Sequence, residues 1–122
     1  MKTMITKETW NAVFVDASID DFAALTTEDV TLEASILLSP VKGRDDVFKA
    51  LRGAGDAYTQ LTFTHETSTP DRLYLEWEAD AYGISMAGLT SLEIDANGRV
   101  SHVAIHHRPL GAVRAFAEHL GE

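Results

Sequence analysis

The apolar residues in the first half of the chain recur three or four positions apart, as they do on one face of an amphipathic helix. A first helix is predicted around Trp10 and Phe14, with Thr6 as its N-cap. A second helix is predicted to begin at Ser18, which forms a capping-box pattern with Asp21. The apolar face of this second helix consists of Ile19, Phe22 and Leu25.

A short strand and a third helix are predicted next. Residues 30–34 have the pattern of a strand, and Pro40 interrupts the chain after them. The third helix is predicted to begin near Gly43 and to stop at Gly53 or Gly55, since glycine commonly ends helices. Its buried side chains are predicted to be Val47, Phe48 and Leu51.

The second half changes to strict alternation, which is typical of strands with one buried face. The clearest strand has two distinct faces, one with Leu73, Leu75, Trp77 and Ala79, the other with Tyr74, Glu76, Glu78 and Asp80. We interpret the acidic face as solvated, with Leu75 and Trp77 turned inward. An earlier strand is predicted from the alternation of Leu61, Phe63 and His65.

Two further strands, from about Met86 to Ile94 and from Arg99 to His107, flank Asn97-Gly98, a strong β-hairpin signal. A two-residue turn there would pair Ala96 with Arg99 and, counting back, Thr90 with Ile105. His107 then lies on the same sheet face as Thr90 and Ile105, which is the more apolar face.

A last helix is predicted from Pro109 to Gly121, with inward residues Leu110, Val113, Phe116 or Ala117, and Leu120. The element order is therefore helix, helix, strand, helix, four strands, helix. This order predicts a single α+β domain over residues 1–122, in which an antiparallel sheet is covered by helices on one face.

Composition and charge narrow the classes of partner. The 122 residues include no cysteine and have a formal net charge of −9, with no basic cluster. Phosphate backbones and anionic membranes would be repelled, so we expect no nucleic-acid or membrane partner. The start of the chain lacks the apolar core of a signal peptide, and we expect a cytoplasmic protein.

Three segments resemble the NTF2-like superfamily, in its SnoaL-like branch: LTTEDVTLEA after the two leading helices, VKGRDDV at the third, and LEIDANGRVSHVAIHHRPL at the end. The resemblance covers nearly the whole chain. It implies a curved antiparallel sheet wrapped around the N-terminal helices as a cone, with a C-terminal helix and an interior cavity. It also implies a homodimer formed through the sheet surface, and here Ala104 and its small or polar neighbours provide a suitable face.

The superfamily includes ketosteroid isomerases, polyketide cyclases and epoxide hydrolases, as well as members without catalysis, so the fold does not give the function. Ketosteroid isomerases use a tyrosine, an aspartate base and a second acid. The resemblance aligns Trp10, Ala34 and Thr90 with these three positions, and Glu33 is offset from the base by one residue, on the opposite strand face. The mechanism that ketosteroid isomerases carry out with these three residues is therefore not expected. Ile105 likewise aligns with the late aspartate of the epoxide hydrolases.

His107 is the candidate catalytic residue, as a general acid or base, because histidine titrates near neutral pH. The candidate pocket residues are Trp10, Phe14, Phe63, His65, Trp77, Met86, Thr90 and Ile105. Tyr58 is predicted to lie either in the pocket wall or at the surface. No metal site and no cofactor are expected, because His102 and His106 share a strand face but lie too far apart, at roughly 13 Å, to bind one ion.

Two hypotheses remain open. The first is a domain that binds a small hydrophobic or polycyclic molecule in a conical pocket, with cofactor-free acid–base chemistry of the isomerase, cyclase or hydrolase type by His107 and with Thr90 and Trp10 positioning the ligand. The second is a non-catalytic dimeric module whose cavity is filled by its own side chains. An open pocket that exposes His107 would favour the first hypothesis.

Overall fold

A computed structural model describes residues 5–15 and 18–120. It has four helices and six strands in these ranges: α1 (Lys7–Val15), α2 (Ile19–Leu25), β1 (Thr26–Ala34), β2 (Val41–Lys42), α3 (Arg44–Ala57), β3 (Tyr58–Thr69), β4 (Arg72–Ala81), β5 (Ile84–Ile94), β6 (Val100–Arg108) and α4 (Leu110–Leu120). The predicted order of elements is confirmed, with the addition of the two-residue strand β2. β1 begins at Thr26, four residues before the predicted start.

The strands form one curved sheet in the order β2-β1-β6-β5-β4-β3. All neighbouring strands are antiparallel except β1 and β6, which run parallel. Helix α3 packs against α1 and β1, and α4 packs on β5 and β6. The fold is thus the predicted α+β arrangement, with helices over the inner face of the sheet.

The predicted caps of the first two helices are present. The Thr6 hydroxyl accepts a hydrogen bond from the Thr9 backbone N–H at 3.2 Å. Ser18 and Asp21 form both bonds of the capping box, at 3.1 Å each. These bonds satisfy backbone N–H groups that the first turn of a helix leaves without intrahelical partners.

The register predicted between β5 and β6 is correct. Thr90 lies opposite Ile105, and Glu93 lies opposite His102. The turn itself differs from the predicted two-residue form, because a bulge shifts the register after Glu93 and the Asp95 carboxylate accepts bonds from the N–H groups of Asn97 and Arg99. His107 therefore projects from the inner face, as predicted.

The prediction that α3 stops at Gly53 or Gly55 is wrong, since the helix continues to Ala57. Gly55 has a role in helix packing and does not end the helix. A Cβ at this position would lie 2.2 Å from the Phe14 carbonyl oxygen, so the missing side chain lets α3 approach the backbone of α1 closely.

The prediction for the last helix is confirmed in part. Phe116 is buried as predicted and Val113 is half-buried, but Leu110 is 71% exposed and Ala112 is buried in addition. The predicted inward position of the Leu120 side chain and the predicted end at Gly121 lie outside what the structure describes.

The core lies between the inner sheet face and the helices. It contains the inward residues of the central strands and the apolar faces of α1, α2 and α3, including Trp10, Phe22, Leu51, Leu75 and Val103. Among the described residues, no helix has the length and apolar character needed to cross a membrane.

Candidate functional site

A cavity of about 270 Å³ lies between the inner face of the sheet and α3. Most of its lining is aliphatic or aromatic, and the polar side chains in the lining belong to Lys49, Tyr58 and His107. The complete lining is Phe14, Leu32, Ala34, Ile36, Leu37, Lys49, Ala50, Leu51, Gly53, Ala54, Tyr58, Ile105 and His107. Such a concave, mostly apolar site with few polar groups is typical of small-molecule binding sites.

His107 reaches this cavity from the C-terminal end of β6. Its ring packs edge-on against Trp77, with 5.2 Å between the ring centroids, and also contacts Phe116 at 6.1 Å. The His107 backbone N–H donates a hydrogen bond to the Ser35 hydroxyl at 3.0 Å, which ties the end of β6 to the segment after β1.

The Nδ1 atom of His107 is buried and is not exposed to the cavity. Burial lowers the pKa of His107 from its ordinary value of 6.5 to about 4, because the charged form loses its hydration. A backbone hydrogen bond of Ile105 acts in the opposite direction on this pKa, and nearby His106 lowers it further. At neutral pH the imidazole is therefore uncharged.

Gly88 makes the contact between Trp77 and His107 possible. These three residues form one row across β4, β5 and β6, with Gly88 in the middle. A Cβ on Gly88 would lie 2.3 Å from Trp77 Cζ2 and 2.4 Å from the His106 carbonyl oxygen. Without that side chain, the Trp77 indole lies over the middle strand. A glycine inside an alternating strand pattern was the sequence signal for this close approach.

Tyr58 forms part of the cavity wall. The sequence had left open whether it lies in the pocket wall or at the surface. Its ring contacts Phe14 at 6.1 Å, Trp77 at 6.2 Å and Phe116 at 5.6 Å between centroids. Burial raises the pKa of the Tyr58 hydroxyl well above its usual range, so this group is uncharged at neutral pH. Tyr58 is the principal polar wall residue that was not among the predicted pocket residues.

Beyond the main cavity, aromatic side chains fill the interior. A void of about 10 Å³ lies there, lined by Phe14, Tyr58, Leu61, Phe63, Trp77, Thr90 and Ile105. Phe14, Tyr58 and Ile105 line both spaces and therefore lie between them. These three side chains form the floor of the main cavity.

The structure brings together only part of the predicted pocket set. Phe14, Ile105 and His107 line the main cavity, whereas Phe63, Trp77 and Thr90 line the small void beyond it. Trp10 is fully buried in the core, where its Nε1 has no hydrogen-bond partner among the described residues, and it is not part of the cavity lining.

His65 lies outside the cavity, contrary to the prediction. A register shift after Phe63 places His65 opposite Glu76, on the outer face of the sheet. Its side chain is 74% exposed, and its Nδ1 lies 3.9 Å from the Glu76 carboxylate. The predicted alternation failed here because a bulge adds one residue and so reverses the face of every residue that follows.

Met86 is also separate from the main cavity. It helps to line a larger depression of about 560 Å³ at one end of the sheet, together with Gln60, Thr62, Glu78, Ala79, Asp80, Ser85, Ala87, Arg108 and Pro109. Most of these residues are solvent-exposed. We place the candidate site in the smaller cavity because its lining is mostly apolar and includes His107.

The acidic residues of the sheet lie away from the cavity. Glu76 and Glu78 are exposed on the outer face, as interpreted from the sequence. Glu33 also points outward, and its carboxylate lies 3.0 Å from His102 Nε2. His102 faces Glu93 in the register, and its ring also contacts Thr31. The cavity thus lacks the carboxylates on which ketosteroid isomerases depend, and Ala34 lines it instead.

A metal site does not form among the described residues, since no three histidine or acidic side chains there are close enough together to hold an ion.

Comparison with known proteins supports the fold. A family model described as a SnoaL-like domain matches residues 8–108. A steroid delta-isomerase from Pseudomonas aeruginosa superposes with a TM-score of 0.83 at 16% identity, covering 99% of this chain and 93% of that one. An uncharacterised protein with a cystatin-like fold from Silicibacter pomeroyi superposes with a TM-score of 0.82 at 18% identity, covering 90% of this chain and 77% of that one. At these identities the likeness concerns the fold alone.

A third similar structure, from Jannaschia, bears the name of a SnoaL-like polyketide cyclase; it superposes with a TM-score of 0.71 at 12% identity and covers 90% of each chain. Among curated proteins, no sequence matches this chain.

Proposed function

We propose, from the premise that this chain belongs to the SnoaL-like domain family, that it binds a small hydrophobic molecule in the cavity between α3 and the sheet. The observation that carries the proposal is the open cavity of about 270 Å³ with a mostly apolar wall. Concave, mostly apolar sites of this kind are where small molecules bind to proteins.

The open volume favours ligand binding over a purely structural module. A cavity filled by its own side chains would leave no space larger than a water molecule, as is usual in protein cores. Here about 270 Å³ is open, and His107 lies in its wall.

Acid–base catalysis by His107 is a second candidate, which the position of its ring in the cavity supports. A general base is most effective when its pKa lies near the working pH. With its pKa lowered to about 4, the imidazole is a weak base at neutral pH. Binding is therefore the better supported activity, and Thr90 and Trp10 have no contact with the main cavity through which to position a substrate.

A homodimer formed through the outer sheet face is a further part of the proposal. The centre of this face carries the half-buried residues Tyr74, Leu89, Ser91 and Ala104. The histidine and acidic residues surround this less polar centre, an arrangement found in many protein interfaces.

Native mass spectrometry tests the binding proposal. The protein is purified without added ligand and analysed first under native conditions, then under denaturing conditions that release any bound molecule. We expect a co-purified apolar molecule with the native chain and its loss from the variant Ala50→Leu, which fills the cavity. Ala24→Leu, at an exposed position of α2, is the matched control and keeps the molecule. An equal amount bound to both variants would contradict the proposal.

A further inference from the structure

The cavity is partly open to solvent, and the exposure of its lining residues locates the opening. Leu32 and Leu51 in the lining are buried, whereas Lys49 and Gly53 are exposed. Because Lys49 and Gly53 are four residues apart on α3, they are neighbours on one side of the helix. The opening beside these two residues is the mouth of the cavity, where part of a bound molecule stays in contact with water.

The lining of the cavity contains a lysine and no acidic residue among the described positions. The chain as a whole has a formal net charge of −9, but its acidic side chains lie elsewhere. Glu76 and Glu78 are exposed on the outer face of the sheet, and Asp45 and Asp46 line a separate depression at the start of α3. An anionic group at the mouth would therefore meet no carboxylate of the cavity wall.

Lys49 is placed to interact with such a group. A lysine that both lines an apolar cavity and is exposed can pack its aliphatic stem against the wall and keep its ammonium group in water. Asp45 and Asp46 precede it by four and three residues on the same helix. Among the described residues, however, no carboxylate lies within 4 Å of the Lys49 ammonium, whose donors are therefore open to a ligand.

We propose that the cavity takes a small amphipathic anion, with its apolar body inside and its carboxylate at the mouth, paired with the Lys49 ammonium. This inference rests on the proposed function and narrows its ligand class. The apolar body is matched by the aliphatic and aromatic wall. At the mouth the carboxylate keeps part of its hydration, so the ion is not transferred into the apolar interior, which would be costly. Lys49 is accordingly the residue that determines specificity for charge.

Three probes with the same two-ring body and different charge test this ligand class: the anion 2-naphthoate, the neutral 2-naphthamide and the cation 2-naphthylmethylammonium. Their affinities are measured by calorimetry at neutral pH and low salt. We expect the anion to bind about fivefold more tightly than the amide, which is the upper range for an ion pair at an exposed position, and the cation to bind more weakly than the amide. Raising the salt to about 0.5 M should remove most of the difference between anion and amide, because salt screens exposed charges.

The variant Lys49→Met keeps an unbranched apolar stem and removes the charge. It should bind the amide as the wild type does and lose the preference for the anion, whereas Lys49→Arg should retain that preference. Lys42→Met is the matched control, since it removes the same charge from the outer face, where Lys42 lies opposite Thr31 and Thr31 contacts His102. This control should keep the wild-type preference.

The outcomes separate the inference from the proposed function. If the amide binds the wild type as tightly as the anion, or if Lys49→Met keeps the preference for the anion, the inferred ligand class is wrong and the proposed function stands. If none of the three probes binds, the proposed function fails and the inference fails with it. The comparison of probes and its salt dependence require only the wild-type protein, so they remain decisive even where a variant does not fold.

Discussion

At the scale of single residues, the properties of His107 follow from where β6 places it. The strand turns this imidazole inward, between Trp77 and Phe116, while His106 next to it is exposed on the outer face. Alternation in a strand therefore gives two consecutive histidines different surroundings. Among the described histidines of the sheet, His107 is the one that lies on the inner face and has a buried Nδ1.

The lowered pKa of His107 makes stability depend on pH. In the unfolded chain the ring gains a proton near pH 6.5, whereas in the folded protein it resists protonation down to about pH 4. Its neutral form thus contributes stability that is fully present above pH 6.5 and is lost as the pH falls to about 4. The loss amounts to about 3 kcal/mol over this interval.

We expect denaturant unfolding of the variant His107→Phe to lack this part of the pH dependence, because no imidazole remains to be protonated. His65→Gln, at an exposed position of the outer face, is the control and should keep this part of the pH dependence. Tyr58, which also lines the cavity, stays uncharged over this range because burial raises the pKa of its hydroxyl. Parallel stability curves for the wild type and His107→Phe between pH 4 and 6.5 would contradict the burial argument.

At the scale of elements, two glycines on α3 have different roles although they are only two positions apart. A Cβ on Gly55 would lie 2.2 Å from the Phe14 carbonyl oxygen, whereas one on Gly53 would meet no atom within 4 Å. The close approach of α1 to α3 therefore depends on Gly55 and not on Gly53. This approach also positions Phe14, one of the three floor residues of the cavity.

Gly55→Ala is expected to destabilise the fold by about 2–3 kcal/mol, because α1 must move away from α3 to relieve a backbone clash. Gly53→Ala is the matched control and should be neutral or stabilise by up to about 1 kcal/mol through its better helix propensity. Urea unfolding of both variants measures the difference. Equal stabilities would show that the helices do not pack as described.

The accuracy of the sequence-based predictions varied by element for physical reasons. The hairpin register was predictable because the apolar alternation of both strands agrees with a turn signal, and it placed Thr90, Ile105 and His107 correctly on one face. His65 was misplaced because a bulge after Phe63 has no sequence signature of its own. The length of α3 was underestimated because glycine lowers helix propensity but tertiary packing at Gly55 outweighs that preference.

The same limits apply to the site. Alternation could indicate that His107 faces inward, but the size of the cavity depends on how Phe14, Tyr58 and Ile105 pack across three elements. The row of Trp77, Gly88 and His107 was predictable in principle. The strand register aligns these residues, and a glycine inside a strand indicates that another group approaches closely.

At the scale of the whole molecule, the proposed dimer makes a separate prediction. Ala104 lies between Ser91 and Glu33 on the outer sheet face, within its less polar centre. Ala104→Arg would place a charge at the middle of the interface and should convert a dimer to a monomer in sedimentation equilibrium at micromolar concentration. Thr62→Arg, on an exposed position of the edge strand β3, is the control and should remain dimeric. A wild-type monomer at this concentration would rule out the proposed dimer.

The whole molecule combines a curved six-stranded sheet with a small, mostly apolar cavity beside α3. Nuclear magnetic resonance of isotope-labelled histidine rings, recorded while a small apolar probe such as 2-naphthol is added, tests this account most directly, because one of these rings lies in the cavity wall. We predict that the ring resonances of His107 shift as the probe binds, while the rings of His65 and His106 on the outer face stay unchanged. An unchanged His107 resonance together with shifts at the outer-face histidines would contradict the central claim, since the ligand would then bind elsewhere on the molecule.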